Sequence, residues 1–408
     1  MFTRYKTDGK GKQVVVAKVY TAKEHNIHSS QVDRDCLWAI RKLWNSGHKA
    51  YIVGGAVRDL LLGKRPKDFD IATSASPRQV QNIFWNSRAI GKRFRIVHLY
   101  FSAGKIIEVT TFRSDEENFE EGNNNIFGTI EQDSRRRDFS INALYYNPLD
   151  GHLLDFNNAM DDIRNRTIRS LIPLSYSFKE DPVRMIRAIK YSCTTGFRLK
   201  FDVKWAIRRD CAEIEKVSIS RLTDEMIKIL NSAHSGQILQ RLHSYRLLSF
   251  MMPTFDVYMK YDSVKQALDR LDDEISKARD DGADYPLSSI LHVLATPLVV
   301  VGDKDAGGVQ ELSKEIFRQI KVMLSPLTPP NYEIERAVEL ILQDLGYSTK
   351  KARRKSQPAR KKGSGRQSGA QAARDSGKKK RRRSSSRARS ADRSQQPSPA
   401  SSAEAHDL

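Results

Sequence analysis

Apolar residues recur with two different periods along this chain, and the change of period divides it. Up to about residue 170, short apolar runs such as Tyr51–Val53 alternate with helical stripes, which predicts a small mixed sheet covered by helices. From about residue 184 to residue 342, apolar residues recur at helical spacing and strand signals mostly vanish. We therefore predict an α+β protein with a head domain at residues 30–170 and a helical domain at residues 171–346.

Local signals place several elements of the head. Ser30 is expected to cap a helix. The segments Arg95–Phe101 and Lys105–Phe112 predict two paired strands, and a further helix is predicted near Asp133–Tyr146. Residues 1–29 are interpreted as a polar, basic leader of uncertain order.

Positive charge is concentrated at one end of the chain. The 408 residues carry a formal net charge of +21, and residues 350–408 hold 19 Lys and Arg against 4 Asp and Glu. The segment 347–408 has almost no large apolar residues, so we expect a disordered basic tail. Its expected role is to displace counterions from a phosphate backbone without reading sequence, and the alternative is a solubilising tail without a partner.

The cysteines and the apolar runs bear on the cellular compartment. Cys36, Cys193 and Cys211 lie far apart without CxxC spacing, which favours thiols of a reducing compartment over a disulfide framework or a zinc site. The longest early apolar run, Val14–Ala17, is too short for a signal peptide or a membrane span. We therefore expect a cytoplasmic protein that has no membrane partner.

The segment Tyr51–Asp70 reads YIVGGAVRDLLLGKRPKDFD and combines two chemical features. An apolar strand ends at Gly54 and Gly55, which let backbone amides approach a phosphate without a Cβ in the way. A short helix follows, and the chain is expected to return as a strand bearing Asp68 and Asp70. Carboxylates two residues apart on a strand share a face, so they can hold one divalent ion or a close pair. Taken singly, Gly-Gly is more often a turn, and Asp-x-Asp is more often a solvated edge.

Metal-assisted phosphoryl transfer usually needs a third carboxylate, and the sequence offers two candidates. Glu108 lies in a predicted strand between Ile107 and Val109, which face the opposite side. An acid in a β-branched run indicates either an active-site face or a solvent-exposed face. Asp138, in the segment RRRDFSINALYY, is the second candidate. We keep both acids and favour Glu108 because of its strand geometry.

Basic residues near these acids suit a nucleoside triphosphate. Arg58 follows the two glycines, and Arg136 and Arg137 directly precede Asp138. Guanidinium forks match phosphate oxygens, while Asp138 and Asn142, about one helical turn apart, suit ribose hydroxyls. An ordinary surface helix start would also contain Arg and Asp.

The segment Glu180–Tyr191, EDPVRMIRAIKY, begins a predicted helix. Acidic residues beside Pro182 favour a helix start, so capping is one interpretation. Asp181 and Arg184 are three apart and share a face, so the pair can accept from an amino group and donate to a ring nitrogen. Adenine and cytosine both offer that combination, so the pair would select A and C without a template. Arg187, one turn further on, is expected to contact base or phosphate.

Together these motifs resemble those of the class II nucleotidyltransferases, the group that contains bacterial poly(A) polymerases and CCA-adding enzymes. The resemblance covers roughly residues 30–255. Besides residues 51–70, it rests on Arg136–Leu144, which matches the family motif RRDFxxNAL, and on Glu180–Arg184, which matches EDxxR. It implies a head with a sheet of the polymerase-beta type, followed by helical neck and body domains that bind RNA.

The resemblance also implies a reaction. An RNA 3′-hydroxyl would attack the α-phosphate of ATP without a template and release pyrophosphate, assisted by two Mg²⁺ ions (or Mn²⁺) at Asp68 and Asp70. Within the family the chain is most similar to the bacterial poly(A) polymerases, which add A-tails during mRNA processing. The alternatives are a CCA-adding tRNA nucleotidyltransferase and a catalytically inactive RNA-binding relative. The expected partners are RNA 3′ ends and ATP.

Overall fold

The computed structural model describes residues 1–7, 13–91, 96–114, 127–301 and 308–347. The strands in these ranges are β1 Phe2–Thr7, β2 Gln13–Tyr20, β3 Ala50–Val53, β4 Asp70–Thr73, β5 Ser87–Ile90, β6 Ile96–Tyr100, β7 Ile106–Thr111, β8 Leu144–Asn147, β9 His152–Asp155, β10 Thr167–Ile168 and β11 Arg198–Leu199. The α-helices are α1 Ala22–His25, α2 Arg34–Asn45, α3 Gly55–Leu61, α4 Pro77–Ile83, α5 Ile130–Arg135, α6 Ala159–Arg164, α7 Ser177–Glu180, α8 Val183–Thr195, α9 Phe201–Asp210, α10 Ile219–Leu230, α11 Ser235–Ser244, α12 Leu247–Met251, α13 Pro253–Tyr258, α14 Asp262–Asp280, α15 Leu287–Ala295, α16 Gly308–Leu324 and α17 Asn331–Asp344. Short 3₁₀ helices lie at Ser29–Gln31, Ser102–Gly104, Ser140–Asn142 and Cys211–Lys216.

Nine of the described strands form one mixed sheet in the order β1-β2-β9-β8-β3-β4-β7-β6-β5. Only β4 and β7 are parallel neighbours within it. Because side chains alternate between the faces of a strand, Ile71 and Ile107 enter the large core, while Ala72 and Tyr145 join a small cluster on the other face. The predicted α+β architecture is confirmed, and the mixed sheet is larger than expected.

The interpretation of residues 1–29 as a leader of uncertain order is wrong for the two segments that form β1 and β2. These strands pair with each other, and β2 also pairs with β9, where Val19 lies opposite Leu154. Ala17 and Val19 are buried. The apolar, largely β-branched run of this segment is therefore a strand signal, and its burial against β9 places the segment in the sheet.

The first long helix begins later than expected. Asp33 caps α2, and its Oδ1 accepts hydrogen bonds from the backbone amides of Asp35 at 2.9 Å and Cys36 at 3.1 Å. Ser30, the predicted cap, lies in the preceding 3₁₀ turn. The prediction is wrong because the acidic residue immediately before the apolar stripe provides the capping oxygen.

The helix predicted near Asp133–Tyr146 is also wrong. The helix α5 ends at Arg135, a 3₁₀ turn follows, and the chain then enters the central strand β8. Tyr145 and Tyr146 are fully buried in that strand, which pairs with both β3 and β9. Pairing on both sides and burial of two aromatic rings stabilise the strand over the helical alternative that the local pattern suggested.

Residues 1–350 form one compact unit, in which helices dominate from Ser177 onward. The division between a head and a helical domain at residue 170 therefore stays a prediction. None of the described helices is both long enough and apolar enough to cross a membrane. The predicted disordered tail lies outside the described residues apart from Tyr347.

Candidate functional site

Two of the predicted carboxylates come together on neighbouring parallel strands. Asp70 is the first residue of β4 and lies in register with Glu108 on β7. Ile107 and Val109 on either side of Glu108 are buried, so the glutamate lies on the opposite face, as predicted. Asp68 is exposed and precedes the strand, which corrects the expectation that both aspartates belong to one strand.

The charges of these acids act on one another. Burial, followed by the negative charge of Glu108, raises the pKa of Asp70 to about 6; Asp68 acts in the same direction and Arg137 in the opposite one. His98 on the neighbouring strand β6 lies 3.4 Å from Glu108 Oε1. Repulsion between carboxylates is the electrostatic condition that a bound cation relieves.

The predicted metal site was tested against the donors present. Within the described ranges, no group of three or more His, Cys, Asp and Glu side chains is arranged to hold a metal ion. Asp68, Asp70 and Glu108 nevertheless offer only oxygen donors, which are the ligands that Mg²⁺ prefers. Their mutual repulsion and their ligand chemistry fit a hard divalent cation, although the side chains are not gathered into a preformed ligand set.

Gly54 connects β3 to α3 beside these acids. Its φ of 71° and ψ of −136° lie in a region that favours glycine. Val53, the preceding residue, pairs with Asp70. A Cβ placed on Gly54 would lie 3.7 Å from both Asp70 Oδ2 and Arg137 Nη1, so backbone, carboxylate and guanidinium converge at this point. A Cβ on Gly55, the first residue of α3, would meet only the side chain of Arg58.

Arg137 is held in this position by three partners. Its Nε donates to the hydroxyl of Tyr145 at 3.0 Å, its Nη1 to the carbonyl of Asn142 at 3.3 Å, and its Nη2 to Asp133 Oδ2 at 3.3 Å. The guanidinium also lies 5.1 Å from the centre of the Tyr145 ring. Asp133 and Tyr145 were not identified from sequence as site residues. Their role depends on β8 being a strand, which the local pattern did not reveal.

Arg136 has a different environment from its neighbour. Its side chain is more exposed, and its Nη1 donates to the backbone carbonyl of Ser114 at 2.6 Å. The structure thus separates the two arginines that the sequence placed in one motif. Only Arg137 lies against Gly54.

The second candidate carboxylate, Asp138, lies in a buried polar network. Its Oδ1 accepts from Asn142 Nδ2 at 3.3 Å, and its Oδ2 lies 2.8 Å from Arg187 Nη2. Asn142 Oδ1 in turn accepts from Arg58 Nη1 at 2.9 Å. Asp138 is 8% exposed. Two predicted nucleotide-binding residues, Asn142 and Arg187, therefore contact Asp138, and Arg58 joins them through Asn142. The acidic charges that act on Asp70 come instead from Glu108 and Asp68.

Tyr191 joins this network and was missed by the sequence reasoning. Its hydroxyl accepts from Arg187 Nε at 3.3 Å and Nη2 at 3.0 Å. The guanidinium carbons of Arg58 and Arg187 lie 5.1 Å and 5.7 Å from its ring centre. One ring thus supports an arginine from α3 and another from α8. Its spacing of four residues from Arg187 was the available signal.

The predicted base-reading pair is occupied by other partners. Asp181 Oδ1 accepts from the amide of Val183 at 3.2 Å, and Oδ2 accepts from Arg221 Nη2 at 2.8 Å. Arg184 donates to the carbonyl of Ser177 at 2.9 Å and pairs with Glu180. Asp181 thus accepts from the first amide of α8, whose N-cap is Pro182, and both the capping and the base-reading interpretations stay predictions. Arg221, forty residues away in sequence, gave no local signal.

A cavity of about 880 Å³ adjoins Asp68. Its lining includes two acids, Asp33 and Asp68, and five basic residues, namely Arg34, Lys64, Arg65, Lys67 and Lys105. A basic cavity that opens beside a carboxylate can accommodate a polyanion whose reactive end approaches that carboxylate.

Two family models match parts of the chain that contain these residues. Residues 50–169 match the model described as "Poly A polymerase head domain", and residues 196–259 match the model described as "Probable RNA and SrmB- binding site of polymerase A". Asp70, Glu108 and the Asp138 network up to Asn142 fall within the first match. Asp181, Arg184 and Arg187 lie between the two.

Known proteins are similar to this chain over more than half of its length. Poly(A) polymerase I of Salmonella typhi is 36% identical over 271 residues, which are 63% of this chain and 58% of that protein. The CCA-adding enzyme of Geobacillus thermodenitrificans is 35% identical over 221 residues, which are 53% and 54% of the two chains. The chain therefore spans less than two thirds of these relatives.

A solved structure extends the likeness to the helical part. The crystal structure of the Bacillus stearothermophilus CCA-adding enzyme in complex with CTP aligns with a TM-score of 0.50 and 25% identity. The alignment covers 77% of this chain and 83% of that one.

Proposed function

Because residues 50–169 belong to the poly A polymerase head-domain family, which the bacterial poly(A) polymerases and CCA-adding enzymes represent, we propose that this protein is a template-independent polynucleotide adenylyltransferase. It would transfer AMP from ATP to RNA 3′ ends and release pyrophosphate. The observation that carries the proposal is the register of Asp70 opposite Glu108, beside Gly54 and Arg137. In that arrangement the two carboxylates, the backbone of a glycine that has no Cβ, and a guanidinium lie close together.

Each group has a proposed task. Asp68, Asp70 and Glu108 would hold divalent cations, Mg²⁺ or Mn²⁺, which when bound neutralise the triphosphate and lower the pKa of the attacking hydroxyl. Gly54 admits the triphosphate close to the backbone, and Arg137 faces it as a fixed donor.

The remaining predicted residues would bind the rest of the nucleotide. Gly55 keeps the start of α3 free of side chain, and Arg136 supplies a second guanidinium near the phosphates. The network of Asp138, Asn142 and Arg58 would orient the ribose, since its amide and carboxylate match hydroxyl groups.

Base selection is proposed to require an exchange of partners. Asp181 would release Arg221, and Arg184 would release Glu180, so that both can meet a Watson–Crick edge. The resulting acceptor and donor suit adenine and cytosine alike. Arg187 would keep its ion pair with Asp138 and so support the site.

Addition of CCA to tRNA is the second candidate function. The CCA-adding enzymes among the similar proteins favour it, and the shared preference for A and C makes both reactions compatible with one site. We favour adenylyl transfer because the similarity to a poly(A) polymerase extends over 271 residues, against 221 for the CCA-adding enzyme. A third candidate is an inactive RNA-binding relative, against which the intact Asp68, Asp70 and Glu108 argue.

The deciding experiment is nucleotide addition on two RNAs, one with an unstructured 3′ end and one a tRNA without its CCA. Each receives ATP alone, CTP alone, or both, with Mg²⁺ or Mn²⁺. Long A-runs on the unstructured RNA support adenylyl transfer, while addition that stops after C, C and A on the tRNA supports the second candidate.

The catalytic carboxylates are tested by the isosteric double variant Asp68→Asn with Asp70→Asn. We expect addition to be abolished while RNA binding stays within a few fold. The matched control is Asp273→Asn with Asp280→Asn, which removes the charges of two exposed acids on α14. Retained addition by the variant at Asp68 and Asp70 would refute the carboxylate assignment, and its loss together with RNA binding would point to a binding role.

The basic segment after Tyr347 is proposed to bind the RNA phosphate backbone. Truncation there removes most of the excess positive charge of the chain. It should lower RNA affinity and flatten the dependence of affinity on salt, because fewer counterions are released. An unchanged salt slope would assign RNA binding elsewhere. We also propose a cytoplasmic location, which the three unpaired thiols favour.

A further inference from the structure

Two large aromatic side chains on α9 are exposed to solvent. Val203, Ala206 and Ile207 form the buried side of this helix. Phe201 and Trp205, one turn apart on the other side, are 83% and 54% exposed. Aromatic surface left in water on one face of a helix is typical of an interaction surface.

Arginines accompany the exposed rings. The guanidinium of Arg209 lies 4.8 Å from the ring centre of Trp205, and that of Arg208 lies 4.7 Å from the ring centre of Tyr245. Arg209 is anchored by Asp210 and by the carbonyl of Leu174. Its charge is therefore partly satisfied within the protein, while Arg208 is exposed on the same helix.

The charge of this surface identifies the class of partner. Residues 198–209 contain five Lys and Arg and one acid, Asp202. An apolar protein partner or a second copy of this chain would have to neutralise that charge. A single-stranded nucleic acid supplies both phosphates for the cations and flat bases for the rings.

We propose that Phe201, Trp205, Arg208 and Tyr245, together called the α9 platform, bind single-stranded RNA by stacking. Residues four apart on a helix are about 6 Å apart along its axis, so Phe201 and Trp205 can each receive one of two neighbouring bases. Arg208 meets the phosphate between or beside them. The mode is independent of base identity, since every base has a flat face.

The position of the helix connects the platform to the proposed reaction. The helix α9 contacts α7, which ends at Glu180, directly before Asp181. The platform therefore lies on a helix that packs beside the start of the proposed base-reading segment. The inference rests on the proposed function, because it assumes that the ligand is the RNA substrate. It goes beyond that function by assigning RNA binding to the exposed face of α9, within the segment 196–259, and by naming base stacking as the mode of contact.

The test compares the double variant Phe201→Ala with Trp205→Ala against the matched control Trp85→Ala. Trp85 follows α4 and is 90% exposed, so its removal changes exposed aromatic surface outside the platform. Affinity for a fluorescently labelled oligo(A) of about 20 nucleotides is measured by anisotropy with the full chain. We expect affinity to fall at least about 25-fold for the double variant, since each of the two stacked bases contributes about 5-fold or more. Affinity should stay within about twofold for the control.

Two further readouts separate stacking from a structural effect. Arg208→Gln should reduce the slope of log affinity against log salt by about 0.7, the value for one single-strand phosphate contact, whereas the double ring variant should leave the slope unchanged. In steady-state addition with ATP, the double variant should raise KM for the 20-mer and leave kcat unchanged.

Three results would overturn the proposal: unchanged affinity for oligo(A), an unchanged salt slope for Arg208→Gln, or a change of oligomeric state in sedimentation without a change in RNA affinity. The last would assign the rings to contact between copies of the chain. A result in which oligo(A) binding depends on the platform while the wild-type protein adds no nucleotide to any primer would refute the proposed function. It would still support the α9 platform as an RNA-binding surface.

Discussion

Replacement of Gly54 by alanine tests whether the backbone at this point serves the reaction. The residue has φ 71° and ψ −136°, a combination that an L-residue rarely adopts. An added Cβ would lie 3.7 Å from Asp70 Oδ2 and from Arg137 Nη1, which is ordinary van der Waals contact. The variant should therefore lower the free energy of unfolding by about 1–3 kcal/mol through backbone strain, and the added Cβ should cause little steric overlap.

The effect on activity should be larger than the effect on stability suggests. Relief of the strain turns the peptide that faces Asp70 and Arg137, and the methyl group occupies the space through which a triphosphate would approach. A displacement of about 1 Å at a reacting centre can lower kcat about 100-fold. We expect Gly54→Ala to reduce kcat about 10- to 100-fold at saturating ATP.

Gly47→Ala is the matched control. Gly47 also has a positive φ, 81°, and no neighbouring atom lies within 4 Å of an added Cβ. It follows α2, so its replacement should cost about 1–2 kcal/mol and leave kcat unchanged. Urea denaturation followed by circular dichroism measures the free energies of unfolding, and nucleotide addition measures kcat. Equal kcat for both glycine variants would refute the reasoning, as would a parallel loss of kcat and stability in both.

Three further predictions concern side chains. Glu108→Gln should lower kcat about 100-fold, since it removes the charge that acts on Asp70. The free energy of unfolding should change little, because the side-chain volume remains. An unchanged kcat would leave Glu108 as a solvent-facing acid. Tyr191→Phe keeps the ring against the guanidinium groups of Arg58 and Arg187, so it should change KM for ATP by less than about threefold. Tyr191→Leu removes the ring and should raise KM for ATP about 10-fold. Equal KM values for the two variants would contradict the supporting role of the ring. Burial would raise the pKa of Glu225, but Lys190 and Lys228 outweigh it and lower that pKa below its usual range, so Glu225→Gln should cost roughly 3 kcal/mol near pH 7. The part of that difference that comes from the Glu225 charge should be present above about pH 4.5 and be lost as the pH falls through the lower folded-state pKa. Urea denaturation at several pH values measures it, and a difference independent of pH would contradict the ion-pair argument.

Several features of the site follow from short stretches of sequence. The run before Gly54 is apolar and ends in two glycines, which predicted β3 and its turn correctly. Ile107 and Val109 predicted the outward direction of Glu108, because period-two alternation is a property of any strand. These predictions succeed because they depend on neighbours two to four residues apart.

Other predictions failed where long-range packing overrides local preference. The segment from Asp133 to Tyr146 has a helical pattern, yet its second half is a central strand flanked by β3 and β9. The composition of residues 1–29 predicts a polar leader, although pairing with β9 places the β2 segment in the sheet. In both cases the deciding partner is a strand that the local pattern does not reveal.

The sequence by itself determined the chemical groups of this protein: the paired aspartates, the two glycines, the arginine-rich motif and the basic end of the chain. Only the tertiary structure decided which of them meet. The parallel register of β4 and β7 sets Glu108 against Asp70, and the strand β8 brings Arg137 to Gly54, while Asp138 turns toward Arg187. The physical reason is that side-chain identity and local period are encoded along the chain, whereas strand register and helix packing depend on burying surfaces that lie far apart in sequence.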